Sequence, residues 1–144
     1  MVSISGNVEA GCTYKLVNVK AGSFLDLSGG DHTSIIGNDS HDDDTQKWQV
    51  EQDDGWYLRN VGSSTYLGIE VSPGDGTPVI AVDHQYPWDI RPDEEDQGTY
   101  RLYVPNTRFV IDLSDHGNPV PGTLVTLWGA LNPGKNQCWR FEQV

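Results

Sequence analysis

Phe109-Val-Ile-Asp112-Leu113, a run of turn residues, Thr123-Leu-Val-Thr-Leu-Trp128, a loop, and then Asn136-Gln137-Cys138-Trp139-Arg-Phe141 form the stretch that decides the fold. Two short runs of strand-forming residues are separated by turn chemistry, and a third run closes on a Trp. None of them has a 3.6-residue period, so helix has no stretch to stand on. Polar and aromatic groups stand at fixed places in this frame. Asp112 lies inside the first run, Trp128 ends the second, and the amide pair Asn136-Gln137 comes just before Trp139.

Two weaker copies lie upstream. Cys12 to Val19, Phe24-Leu-Asp26-Leu-Ser28, Ser34-Ile-Ile36 and Gln46-Lys-Trp48-Gln-Val50 read as four short strands. Gly55 to Val61, Thr65 to Ile69, Pro78 to Val82 and Tyr86-Pro-Trp88 repeat them, and Gly98 to Val104 leads into the third copy. Tyr14, Tyr57 and Tyr100 recur at intervals of 43 residues, whereas Trp48, Trp88 and Trp139 are 40 and 51 apart, so the length differences fall in the loops before each Trp. A period in this range signals internal pseudo-symmetry. WD40-like blades have a similar length, but three blades are fewer than propellers use, and the Trp-Asp ending is missing.

The expectation is therefore an all-β chain: a β-trefoil of twelve short strands in three pseudo-symmetric repeats, approximately 11–52, 53–95 and 96–144, within one domain spanning 1–144. Each repeat must send one large apolar group to the shared core, and Trp48, Trp88 and Trp139 do so with Leu25, Leu67 and Leu113. Residues 1–10 read as a loose leader, and Asp93-Glu-Glu-Asp as a solvated turn between units.

A chain of 144 residues is long enough for one real core. Its net charge of −12 repels phosphate backbones and anionic headgroups, which argues against nucleic-acid and membrane-surface partners. No apolar run reaches the ~20 residues of a membrane span, and the first residues carry neither a basic start nor an apolar core, so no signal peptide and a cytoplasmic location are expected. Cys12 and Cys138 make no disulfide framework or four-ligand zinc pattern, and two reduced thiols are expected. Asp42-Asp43-Asp44 lacks the register of an EF-hand loop and reads as a charged rim, so no metal and no cofactor are expected.

At Gln46-x-Trp48 and Gln137-x-Trp139, with a degenerate Tyr86-x-Trp88 between them, residues 11–144 resemble the ricin-B-type β-trefoil lectins. The first repeat, Asp26-Leu-Ser-Gly-Gly-Asp-His-Thr-Ser34-Ile-Ile-Gly37 with His41 and Gln46, is most similar to mushroom fruiting-body lectins of the Clitocybe and Macrolepiota type. That resemblance implies galactose or N-acetylgalactosamine ligands, β-galactosides such as lactose or N-acetyllactosamine, no catalysis, cytosolic storage and a defensive role.

A galactose-like ring offers an apolar face and an edge of hydroxyls, so its site needs a flat ring and fixed hydrogen-bond partners. By resemblance and chemistry together, Asp112 would accept from hydroxyls, Asn136 would bond the same edge, Gln137 would position the Asp, and Trp128 would stack. In the first repeat the resemblance points to Asp26, Ser28, Gly29, Gly37, Asn38, His41, Thr45 and Gln46, with Asn38 near where an aromatic is common and stacking left to His41. Ser28-Gly29-Gly30 and Gly37 would let the backbone approach a ligand. The second repeat has Gly68 in place of the carboxylate, so no sugar is expected there.

Two readings of other classes compete. The β-trefoil also carries protease inhibitors on its loops, and fold does not fix function. A glycosidase needs two carboxylates roughly 5–10 Å apart, yet Asp26 and Asp112 fall in different repeats and each has an amide partner, so no enzyme is expected. A single shallow galactoside site has an affinity near ~1 mM, so avidity calls for two sites or a homodimer.

Overall fold

The computed structural model describes residues 8–144; the first part of the expected leader, residues 1–7, lies outside the described residues. Twelve strands run through the described residues: β1 Thr13–Asn18, β2 Phe24–Leu27, β3 Ile35–Asn38, β4 Trp48–Gln52, β5 Trp56–Asn60, β6 Tyr66–Gly68, β7 Ile80–Val82, β8 Asp89–Pro92, β9 Tyr100–Tyr103, β10 Phe109–Leu113, β11 Thr123–Gly129 and β12 Trp139–Gln143. Two 3-10 turns, Asp44–Gln46 and Lys135–Gln137, precede Trp48 and Trp139.

β1, β4, β5, β8, β9 and β12 pair in a ring, closed between β5 and β8 by the single bridge of Trp56 to Trp88. The hairpins β2–β3, β6–β7 and β10–β11 cap this barrel. They meet one another in one repeated relation: Ser34 bridges Ile80, Pro78 bridges Thr126, and Leu124 pairs with Ile36. The pseudo-threefold β-trefoil follows from that cycle.

Alternation along the strands fills the core. Trp48, Trp88 and Trp139 are buried with Leu25, Leu67 and Leu113. Trp48 Nε1 donates to the Leu25 carbonyl at 3.1 Å and Trp88 Nε1 to that of Leu67 at 2.9 Å. The third copy breaks the pattern, because Trp139 Nε1 is buried without a hydrogen-bond partner among the described residues. Cys12 and Cys138 are free thiols.

Two local expectations need correction. The last strand of the second repeat begins at Asp89, after Tyr86-Pro87-Trp88, because Pro87 has no N–H to give a ladder and only Trp88 meets β5. Asp93 is more than a solvated turn residue: its side chain is 9% exposed and its Oδ1 accepts from Arg101 Nε at 3.0 Å. Its Oδ2 accepts from the backbone N–H groups of Glu95 and Asp96, so the carboxylate organises the turn.

Candidate functional site

The hairpin register places the expected site residues. Asp26 on β2 faces Ile36 on β3, and Asn38 lies two residues further along the same face. Asp112 on β10 faces Thr126 on β11, with Trp128 two residues further. Asn38 and Trp128 are therefore equivalent positions, one an amide and the other a ring.

In the first repeat, Asp26 is buried and its Oδ2 accepts three side-chain hydrogen bonds, from Asn38 Nδ2 at 3.0 Å, His41 Nε2 at 2.8 Å and Gln46 Nε2 at 3.2 Å. Asp43 N donates to His41 Nδ1, which leaves the ring proton on Nε2 and facing the carboxylate. The 3-10 turn aims Gln46, whose Nε2 also donates to the Asp39 carbonyl at 2.7 Å and whose Oε1 accepts from His41 N at 3.1 Å. Asp26 Oδ1 is buried with no hydrogen-bond partner among the described residues. A carboxylate oxygen in that state is a strong acceptor awaiting a donor.

The other first-repeat residues make local turn and packing contacts. Ser28 and Gly29 lie in the turn after β2, where the Ser28 hydroxyl accepts from Gly30 N. The Thr45 carbonyl accepts from Asn60 Nδ2 at 2.9 Å. Gly37 is buried, and a Cβ there would stand 2.8 Å from Leu113 Cδ1, so its small size lets the first and third hairpins close together.

In the third repeat, Gln137 Nε2 donates to Asp112 Oδ2 and to the Gly129 carbonyl, both at 3.0 Å. Its Oε1 accepts from Leu131 N at 2.8 Å and from Arg101 Nη1 at 2.9 Å, which fixes which end of the amide faces the carboxylate. Asn136 Nδ2 donates to the Leu113 carbonyl at 3.1 Å, beside Asp112. Trp128 is 43% exposed, an open ring face of the kind a pyranose can cover. Burial raises the Asp112 carboxyl above the ordinary Asp value, opposed by the Gln137 and Asn136 amides and by nearby His116.

The second repeat has no room for a carboxylate. A Cβ on Gly68 would stand 2.8 Å from Val82 Cγ2 and 3.0 Å from Tyr86 Cβ. Tyr86, packed on Trp88 with ring centroids 5.3 Å apart, occupies the space the acid has in the other repeats.

Several supporting residues escaped the sequence reading. Lys15 Nζ donates to the His41 carbonyl at 2.8 Å, and Arg101 holds Gln137 and, through Nη2 at 2.7 Å, the Pro133 carbonyl. Each follows a Tyr, and the pairing register of Asn18 and Asn60 places Tyr57 at this position in the second repeat. Asn18 Nδ2 caps the Asn136 carbonyl at 2.9 Å as Asn60 caps Thr45, so each carboxylate-bearing repeat is braced by the next unit around the ring. Alignment of the three repeats exposes this signal, since Val104 replaces the Asn where the preceding unit has lost its 3-10 turn.

A β-trefoil whose capping hairpins carry amide-held carboxylates, one beside an open Trp, defines the class of carbohydrate-binding β-trefoils. The family model described as the ricin-type β-trefoil lectin domain-like matches residues 3–82. The Macrolepiota procera ricin B-like lectin, in a structure with lactose, is 42% identical, with 96% of this chain and 99% of that chain covered and a TM-score of 0.93. The Rhizoctonia solani agglutinin is 31% identical over 99% of this chain and 100% of that chain, with a TM-score of 0.83. The designed threefold protein ThreeFoil is 26% identical over 92% of this chain and 99% of that chain, with a TM-score of 0.79. No curated protein matches the chain. The chain belongs to the ricin-type β-trefoil lectin family.

Proposed function

We propose that the protein is a non-catalytic lectin for glycans ending in galactose or N-acetylgalactosamine, including β-galactosides such as lactose, and that it serves in defence. One observation carries the reading: the Asp–Gln clamp recurs at equivalent places in the first and third repeats, at Asp26 with Gln46 and at Asp112 with Gln137. The lactose complex of the M. procera lectin supports the galactoside. In the first repeat, Asp26 with Asn38, His41 and Gln46 receives the hydroxyl edge. In the third, Asp112, Asn136 and Gln137 receive that edge and Trp128 stacks on the C–H face.

The side-chain hydrogen bonds to both carboxylates come from amides and an imidazole, which favours holding over hydrolysis. Two weak sites on one chain, or a homodimer, supply avidity. The free thiols Cys12 and Cys138 suit a reducing cytoplasm. A glycan array on the wild type beside Asp26→Arg and Asp112→Arg tests the assignment. Reversing the charge at a working clamp abolishes that site's signal on galactose-terminated glycans; two variants indistinguishable from wild type would remove these residues from the site.

A further inference from the structure

The turn Ser114–Gly117 follows β10 immediately after Asp112-Leu113. Asp115 and His116 have φ of 53° and 55°, so two consecutive non-glycine residues occupy left-handed backbone. Only glycine adopts that region without steric cost, and such outliers persist where surrounding structure imposes them. Counted from its own Asp, the first repeat has Gly29 and Gly30 at these two positions.

His116 is exposed, and its ring makes no hydrogen bond among the described residues. The imposing contacts come from outside the turn. Lys20 Nζ, in the first repeat, donates to the His116 carbonyl, and Gly117 is wedged where a Cβ would stand 2.9 Å from both Asn136 Cβ and Lys20 Cδ.

The same contact seats Gly117 against Asn136, whose side-chain amide bonds the Leu113 carbonyl beside Asp112, so the turn carrying His116 stands next to the third-repeat site. Along β10, Trp128 stands opposite Val110, two residues or roughly 7 Å before Asp112, while the turn begins two residues after it. Along the hairpin Asp112 thus has Trp128 on one side and the turn carrying His116 on the other.

We propose that His116 is a specificity-determining residue of the third-repeat site, contacting a hydroxyl of the bound galactoside on the side of Asp112 away from Trp128. The proposal rests on the galactoside reading of that site. The first repeat supplies its imidazole, His41, from the opposite loop, so the two sites approach different edges of a sugar.

The test uses Asp26→Arg as background, so that the third repeat alone reports lactose binding, and adds His116→Gly. Glycine relieves the left-handed backbone and is expected to raise the Tm by about 3 °C. Lactose affinity is expected to fall roughly 5-fold, as for loss of one net hydrogen bond. Opposite signs for stability and binding support the proposal, since a merely structural role would move both together. A raised Tm with unchanged lactose affinity overturns it and leaves the third-repeat site standing. If the Asp26→Arg protein ignores lactose that the wild type binds, the third-repeat reading and this inference both fall.

Discussion

Asn18 of the first repeat donates its side-chain amide to the main-chain carbonyl of Asn136 in the third at 2.9 Å, although 118 residues separate them. Its Oδ1 accepts from the backbone N–H groups of Lys20 and Ala21, so one buried side chain both closes its own turn and caps the 3-10 turn of Asn136 and Gln137 in another unit. Asn18→Ala removes all three bonds and strands a half-buried carbonyl, which costs about 2 kcal/mol. Urea unfolding should show that loss. Galactoside binding in an Asp26→Arg background should weaken with it, while wild-type stability in Asn18→Ala would remove the bracing role.

Arg101 is expected to be the most sensitive charged position. It is 7% exposed and divides its donors among Asp93, Gln137 and Pro133. Arg101→Met leaves the Asp93 carboxylate without its charge partner, and breaking such a pair costs about 3 kcal/mol. Burial pushes the Asp93 carboxyl up, but Arg101 and two backbone N–H groups outweigh it and hold the group below the ordinary Asp value. Stability from this group is therefore full above the unfolded pKa of about 4 and lost as pH falls through the lower folded value. Thermal melts from pH 6 to pH 2 should show the wild type losing more stability than Arg101→Met.

Asp112 has the opposite sign. Burial raises its carboxyl, so the folded state binds the proton more tightly than the unfolded chain and ionisation at neutral pH is unfavourable to folding. Between the unfolded and the higher folded pKa, stability falls as pH rises. Asp112→Asn should accordingly melt above wild type at pH 7, with the gain shrinking toward pH 3, and should lose third-repeat galactoside binding at every pH. In the Asp26→Arg protein, lactose binding should weaken under mild acid, before an ordinary Asp would protonate. Flat binding down to pH 3 would mean that the ionised form is not the one used.

Gly68→Asp restores the missing carboxylate in sequence but should create no third site. The new Cβ meets Val82 Cγ2 at 2.8 Å and Tyr86 Cβ at 3.0 Å, and overpacking of this kind costs about 1–3 kcal/mol. Differential scanning calorimetry should report a lower Tm with unchanged lactose stoichiometry.

The strands and the clamp were legible in the sequence for physical reasons. Trp48, Trp88 and Trp139 mark the fold because a threefold core needs one large group from each unit, and Gln46 and Gln137 sit before them in tight turns that aim each amide at its Asp. What escaped depends on contacts between distant units. Lys15, Asn18 and Arg101 look like ordinary strand residues until folding brings them to His41, Asn136 and Gln137. Asn38, one of the first-repeat residues the resemblance points to, stands where an aromatic is common, and its amide donates directly to Asp26. Asp93 looked solvated because nothing local announces Arg101, eight residues on, as its partner.

Isothermal titration of lactose into the wild type and the Asp26→Arg/Asp112→Arg double variant tests the central claim most directly. The account predicts wild-type binding with a Kd on the order of 1 mM and none in a double variant that retains the wild-type circular dichroism spectrum. Undiminished lactose binding by that folded double variant, or no galactoside binding by the wild type, would contradict it.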